Sequence, residues 1–394
     1  MDIRPFALER FFAEHEADAD VMLAESGVRP LPADRFDTDP GELGYVVPTA
    51  GDPEFRAAVG ALHDRTAAET LFTCGTQEAN FLAFLATVDS HAVAVTPTYG
   101  SLTAVPRAVG EVTEVPLADG WRLDPGAVAE ALEPDTDLVV VNNPNNPTGR
   151  YHDEDRITAV YEACADNDTH LLCDEVYRLL AEEPLPPVAS LGPYGISTAG
   201  VSKSFGLAGL RFGWLCGPEA VVEAAERWKD YTTISPPKFG QHVARQALDR
   251  REALLAENRA LAADHRAVVA DFLAEHGLTW SGPDCGVNAF VKVPDGFDGG
   301  EAFCRRLVEA ESVVLAPGEA FGHPGWFRIG YGLPRAELEA GLAVEGAGGR
   351  QHGDGFAVVR VIPVADGVGH RVTEVRAGGQ PGDEIGRASC RERV

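Results

Sequence analysis

The chain is 394 residues long, 45% hydrophobic, and carries a formal net charge of -28 at pH 7. That length and apolar content suffice for a sizeable core in one large or two medium domains, and so acidic a balance argues against nucleic-acid binding. The charge is spread along the chain rather than gathered in a tail, which fits a solvating surface of the kind found in salt-adapted proteins and not an acidic interaction tail.

From the N-terminus, residues 6–13 have the apolar spacing of a short amphipathic helix, and a Pro- and Asp-rich loop follows to about residue 40. Asp2, Arg4, Glu9, Arg10, Glu14 and Glu16 leave no apolar signal core, and no apolar run approaches membrane-spanning length. A cytoplasmic protein without membrane contact is expected. Beyond residue 40, apolar runs at 91–95, 138–141, 171–173 and 214–216 alternate with helical patterns at 53–66, 78–87, 124–132 and 153–166. Such alternation predicts an α/β fold, a mostly parallel sheet covered by helices on both faces. Pro218 opens a helix to residue 230, and 239–276 reads as one long helical region with Leu254, Leu261, Val268 and Phe272 on one stripe, stopped by Gly277. Strand-like pieces at 287–293 and 313–315 with a helix over 300–309 suit a second, smaller α+β domain. After Ala343 the pattern fails. Residues 346–394, ending in E-I-G-R-A-S-C-R-E-R-V, read as a frame or assembly artefact without function.

Chemistry concentrates in a few segments. Lysine occurs only at Lys203, Lys229, Lys238 and Lys292, and Lys203 stands in S-K-S-F-G-L-A-G-L-R-F-G-W, with Ser202 before it and Arg211 after it. V-V-V-N-N-P-N-N-P-T-G at 139–149 is an apolar strand followed by residues that continue neither helix nor sheet, so the chain turns there. L-L-C-D-E-V-Y at 171–177 is another apolar run, ending near Asp174 and Tyr177, and W-F-R-I-G-Y-G at 326–332 sets Arg328 between apolar residues. C-G-T-Q-E-A-N at 74–80 opens a helix, so Gly75, Thr76 and Gln77 present backbone N–H groups at its N-terminus, where anions bind. Most of these candidates fall at strand ends and the loops after them, where open α/β sheets bind ligands.

In this order the segments resemble the class I/II aminotransferases, fold-type I enzymes that use pyridoxal phosphate. The resemblance covers residues from about 40 to 343 and implies a large cofactor-binding domain over 41–235 with a seven-stranded type of sheet. A small domain over 236–345 would also take in residues 1–40, and substrate would bind between the two. It further implies that Lys203 carries the cofactor and moves protons at substrate Cα. Asp174 would lie against the pyridine nitrogen, Asn146 and Tyr177 would bind the ring oxygen, and Tyr99 of T-P-T-Y would stack on the ring. Gly75, Thr76, Gln77, Ser202 and Arg211 would hold the phosphate. Gly200 departs from the family, which usually has Ser or Thr there. Arg328 would bind the substrate α-carboxylate. Tyr45 in G-Y-V-V-P-T-A-G would reach the phosphate of a neighbouring subunit, although its spacing to Gly51 is one residue longer than usual; a homodimer with shared active sites follows.

The implied reaction moves an amino group between an L-amino acid and a 2-oxo acid. The same residues would serve a β-lyase, a decarboxylase or a cyclising dehydratase, and a catalytically silent relative is a third possibility. L-E-R-F-F-A-E-H-E at 8–16 and W-K-D-Y-T-T at 228–233 resemble a branch of the family related to capreomycidine synthase-type enzymes. Cys74, Cys164, Cys173, Cys216, Cys285, Cys304 and Cys390 show no C-x-x-C pairing, and the eleven histidines are scattered, so reduced thiols and no metal are expected.

Overall fold

A computed structural model describes residues 3–17 and 19–342; the expectation for 346–394 lies outside the described residues. The strands are β1 (Thr70–Thr73), β2 (His91–Thr96), β3 (Glu111–Pro116), β4 (Thr136–Asn142), β5 (His170–Asp174), β6 (Gly195–Gly200), β7 (Gly213–Cys216), β8 (Asn288–Lys292), β9 (Ala316–Pro317) and β10 (Trp326–Gly330). The α-helices are α1 (Ala7–His15), α2 (Pro53–Ala61), α3 (Thr76–Thr87), α4 (Ser101–Val109), α5 (Pro125–Glu130), α6 (Glu154–Asp166), α7 (Glu219–Lys229), α8 (Lys238–Asp249), α9 (Arg251–Glu275), α10 (Gly300–Glu311) and α11 (Arg335–Leu342).

Strands β1 to β7 form one seven-stranded sheet in the order β1-β7-β6-β5-β4-β2-β3, in which β7 runs antiparallel to both neighbours and the other pairs are parallel. This is the mostly parallel α/β architecture expected from the alternating pattern. The central strands β4 and β5 are apolar on both faces because helices cover both, which explains their unbroken Leu/Val runs. The second sheet is antiparallel, β8-β10-β9. Its core joins Phe290, Val291, Phe327 and Ile329 to Leu8 and Phe11 of α1 and to Val269 and Phe272 of α9.

Four local expectations are corrected. The helix from Pro53 stops at Ala61, because the chain folds back over Gly60: a Cβ there would meet the Arg65 carbonyl oxygen at 2.6 Å. The region 239–276 is two helices, α8 and α9, separated at Arg250. In α9 the buried face runs through Leu254, Leu255, Asn258, Ala262, His265, Val269, Phe272 and Leu273, so Leu261 and Val268 lie at its margin. Residues 313–315 contribute only an isolated bridge from Val313 to Val21, and the third strand of the small sheet is Ala316–Pro317.

Candidate active site

The parallel strands β4, β5 and β6 deliver their C-terminal ends side by side, with Asn142 opposite Asp174 and Asp174 opposite Thr198 in register. Asn142 ties the end of β4 to both its neighbour strand and its own loop: its Nδ2 donates to the Asp174 carbonyl at 2.9 Å, and its Oδ1 accepts from the Asn146 backbone N–H at 2.7 Å. The loop after β4 is further held by Asn145, which donates to the Pro97 carbonyl at 3.0 Å and accepts from the Thr148 hydroxyl at 2.6 Å. Asparagine side chains thus replace the ladder that prolines forbid, and the turn is held rigid. Asn146 is 4% exposed at its inner edge.

Asp174 is enclosed. Its carboxylate accepts from Asn80 Nδ2 at 2.8 Å and from the Val176 N–H at 3.2 Å, and no ion pair reaches it among the described residues. Burial pushes its carboxyl up to about 6, against the lowering influence of Asn80, Val176 and the Lys203 charge. Such an enclosed carboxylate suits a ligand nitrogen that carries a proton. Lys203 lies half-buried beyond β6 and donates from Nζ to Ser26 Oγ at 2.8 Å. Lys203 and Ser202 also border a cleft of about 750 Å³ between the segment around 25–38 and the loop 206–210; Asp174, Asn146, Tyr177 and Arg328 lie outside its lining.

Arg328 comes from β10 of the small sheet. It is 1% exposed, donates from one terminal nitrogen to Asn146 Oδ1 at 2.9 Å and from the other to the Ala24 carbonyl at 2.6 Å, and leaves Nε without a partner. Its ring neighbour is Phe321, whose centroid lies 5.3 Å from the guanidinium carbon. Burial pulls the Arg328 guanidinium below its ordinary range, while Tyr177, Tyr99, Glu25 and Glu9 act to raise it. The group nevertheless stays charged. A buried guanidinium that meets only neutral acceptors is one anion short.

At the other end, Gly75 caps α3 with φ of 82°, and a Cβ there would sit 2.8 Å from an Arg211 terminal nitrogen. Arg211 itself is exposed, held in the left-handed region with φ of 48°, and donates to the Ala208 carbonyl at 3.0 Å. The Thr76 hydroxyl is buried without a partner beside this terminus. A Cβ on Gly200 would approach that hydroxyl at 2.7 Å, so the side chain absent at 200 leaves room for the Thr76 hydroxyl. Gln77 accepts from the Ser101 hydroxyl at 3.0 Å through Oε1.

Tyr99 is half-buried, its ring edge packed on Phe6 at 4.9 Å and its hydroxyl donating to Glu9 Oε1 at 3.0 Å. Burial, followed by Glu9, raises its phenol above the usual range. Tyr177 is 2% exposed and faces Arg328 electrostatically. Tyr45 is 86% exposed, flanked by Leu43 and Val47, and does not join these residues within one chain. Asn80 and Asn142 hydrogen-bond Asp174, Ser26 hydrogen-bonds Lys203 and Glu9 hydrogen-bonds Tyr99, although sequence reasoning assigns these four no role. Only Asn80 carries a usable signal, an amide in the interior of an otherwise apolar helical face.

Comparison with known proteins decides the family. Residues 24–344 match the family described as aminotransferase class I and II. The chain belongs to that family. This aminotransferase-family chain is 33% identical over 307 residues to a capreomycidine synthase of Streptomyces vinaceus, covering 75% of this chain and 78% of that one. It is 31% identical over 347 residues to a probable aspartate/prephenate aminotransferase of Thermus aquaticus, covering 84% and 88%. A crystal structure of a PLP-dependent aminotransferase from Streptococcus suis superposes with a TM-score of 0.82 at 26% identity, covering 86% of this chain and 96% of that one. The aminotransferase fold and its cofactor, pyridoxal phosphate, therefore apply to this enzyme. The residues present fit that cofactor: an unpartnered Thr76 hydroxyl and Arg211 at a helix N-terminus suit its phosphate, and the enclosed Asp174 suits its ring nitrogen.

Proposed function

We propose that this enzyme transfers the amino group of an L-amino acid to a 2-oxo acid. The observation that carries the reading is Arg328, a buried cation lacking an anion and held against Asn146, on the side of the site that also holds Tyr99 and Tyr177. A substrate α-carboxylate supplies that anion and forms a two-pronged pair, which fixes the Cα–H bond relative to the cofactor plane. Bound pyridoxal phosphate supplies an electron sink for charge developing at Cα.

The remaining roles belong to the chain. Lys203 holds the cofactor and moves the proton at Cα; Ser26, bonded to Nζ, orients it. Asp174 favours a protonated ring nitrogen, Asn146 and Tyr177 bind the ring oxygen, and Tyr99 covers one face. Gly75, Thr76, Gln77, Ser202 and Arg211 hold the phosphate. Tyr45, exposed together with Leu43 and Val47, serves the phosphate of a second copy, so the working unit is a homodimer. Residues 41–235 form the cofactor domain, 236–345 with 1–40 form the small domain, and substrate binds between them. The acidic surface serves a cytoplasm rich in salt. No helix among the described residues is long and apolar enough to cross a membrane.

Half-reaction spectroscopy tests the reading. Holoenzyme is mixed with single amino acids, and one stoichiometric absorbance change that stalls until a 2-oxo acid is added supports transamination. Continuous product release from an amino acid alone refutes it. That second outcome would favour another pyridoxal-phosphate reaction on the same residues, a reading encouraged by the similarity to capreomycidine synthase.

A further inference from the structure

Asn80 lies inside α3, 2% exposed, among buried Ala79, Leu82, Ala83 and Phe84. Asparagine is a poor helix-interior residue, and a buried amide persists only where its donor and acceptor are both matched. Both are matched here. Nδ2 donates to Asp174 Oδ2 at 2.8 Å, and Oδ1 accepts from the Thr198 hydroxyl at 2.6 Å. Thr198 is fully buried and stands opposite Asp174 in the β5–β6 register. With its oxygen taken by that hydroxyl, the amide has one orientation, N–H toward the carboxylate.

We propose that Asn80 is a positioning residue for the cofactor ring: it aims Asp174 and keeps it ionised, with Thr198 fixing the direction of the amide. The inference rests on Asp174 being the partner of the pyridine nitrogen. Its chemical basis is that the donors reaching the carboxylate, Asn80 and the Val176 N–H, are neutral and stabilise the anion without cancelling its charge. After burial, which opposes ionisation, Asn80 is the largest influence on Asp174 and acts to lower its proton affinity. The geometry adds a coupling. The N-terminus of α3 offers Gly75 and Thr76 to the phosphate, and Asn80 follows one turn later, about 6 Å along the axis. One rigid helix therefore sets both the anchor of the cofactor and the carboxylate that tunes its ring.

The test compares wild-type holoenzyme with Asn80→Leu, which keeps the shape and removes the donor, with Thr198→Val, and with Asp174→Asn. Absorbance of the bound cofactor and its rate of loss are followed against pH, together with the amino-acid half-reaction. Asn80→Leu is expected to move the acid limb of the half-reaction upward by about one pH unit, a roughly tenfold change in proton affinity, and to speed cofactor loss. Thr198→Val shifts the limb in the same direction by less, and the double variant shifts it no further than Asn80→Leu, because both act through one amide. A folded Asn80→Leu holoenzyme that keeps the wild-type limb and spectrum overturns the proposal, as does lowered thermal stability with no pH shift. If Asn80→Leu does not fold, an unshifted Thr198→Val decides against it. Should Asp174→Asn leave the cofactor spectrum untouched, the reading of Asp174 itself fails; a change with Asp174→Asn but not with Asn80→Leu defeats only the role of Asn80.

Discussion

The two ends of the site are built by different means. The proposed cofactor end draws on neighbouring strand termini of one sheet and on one helix N-terminus, and it is held by side chains: Asn142 ties the main chain of Asp174 and Asn146, the Thr198 hydroxyl donates to Asn80, and Asn80 donates to the Asp174 carboxylate. The proposed substrate end is assembled from β10, the backbone at Ala24 and helix α1, with Arg328 reaching across to Asn146. The first is braced by its own side chains and leaves the buried Thr76 hydroxyl without a partner, whereas the second holds a cation that meets only neutral acceptors. The difference teaches that cofactor retention and substrate recognition can be perturbed separately.

Substitutions can break or sharpen that division. Lys203→Ala is expected to lower kcat by about ten-thousandfold or more and to abolish borohydride-stable cofactor attachment in peptide maps, while leaving thermal stability near wild type. Asp174→Asn should lower kcat by roughly a thousandfold yet stabilise the apoprotein at neutral pH. The folded carboxyl sits at about 6, above its ordinary value of 3.8, so the stabilisation it offers is complete below the lower value and is lost as pH rises through the higher one. Removing the charge recovers about 3 kcal/mol near pH 7, measurable as a wild-type stability loss between these two values that Asp174→Asn lacks.

Arg328→Lys tests the substrate end. Loss of the planar fork is expected to lower kcat/KM by about a hundredfold, mostly through KM, with cofactor affinity unchanged in fluorescence titration. A matching loss of cofactor would erase the division between the two ends. Gly200→Ala places a methyl 2.7 Å from the Thr76 hydroxyl and 2.8 Å from the Phe212 carbonyl, so cofactor Kd should rise by about tenfold with KM for the amino acid unaffected. Tyr99→Phe keeps the ring and removes the bond to Glu9; a change of about threefold in kcat/KM is expected, and a larger one would show that Glu9 orders the substrate end through that hydroxyl.

The same contrast explains what can be read in the sequence. Lys203, Asp174, Asn146 and the Gly75 turn sit in contiguous motifs that the family resemblance picks out, and the strand-end architecture is legible from the alternating pattern around them. Ser26 and Glu9 act through contacts between segments far apart in the chain, and nothing in their local spacing marks them, whereas Asn142 stands inside the 139–149 loop motif and bonds Asn146 four residues on. The break at Arg250 is hidden because α8 and α9 are both amphipathic, and one continuous helical period fits their joined sequence. The strand β6 is hidden too, because Gly195–Gly200 holds small and polar residues that succeed as a strand only between β5 and β7.

The reversed strand β7 begins at Gly213, where a Cβ would lie 2.6 Å from the backbone of Gly75 and Thr76. Main chain rather than side chain therefore shapes this corner, and almost any substitution there would push the anchoring turn outward. The Ala24 segment is packed just as closely, because a Cβ on Gly330 would run into the Glu25 backbone and one on Gly332 into the Gly27 backbone. Main chain thus sets the clearances on both sides of the site, and enlarging a residue at either corner would move a backbone segment.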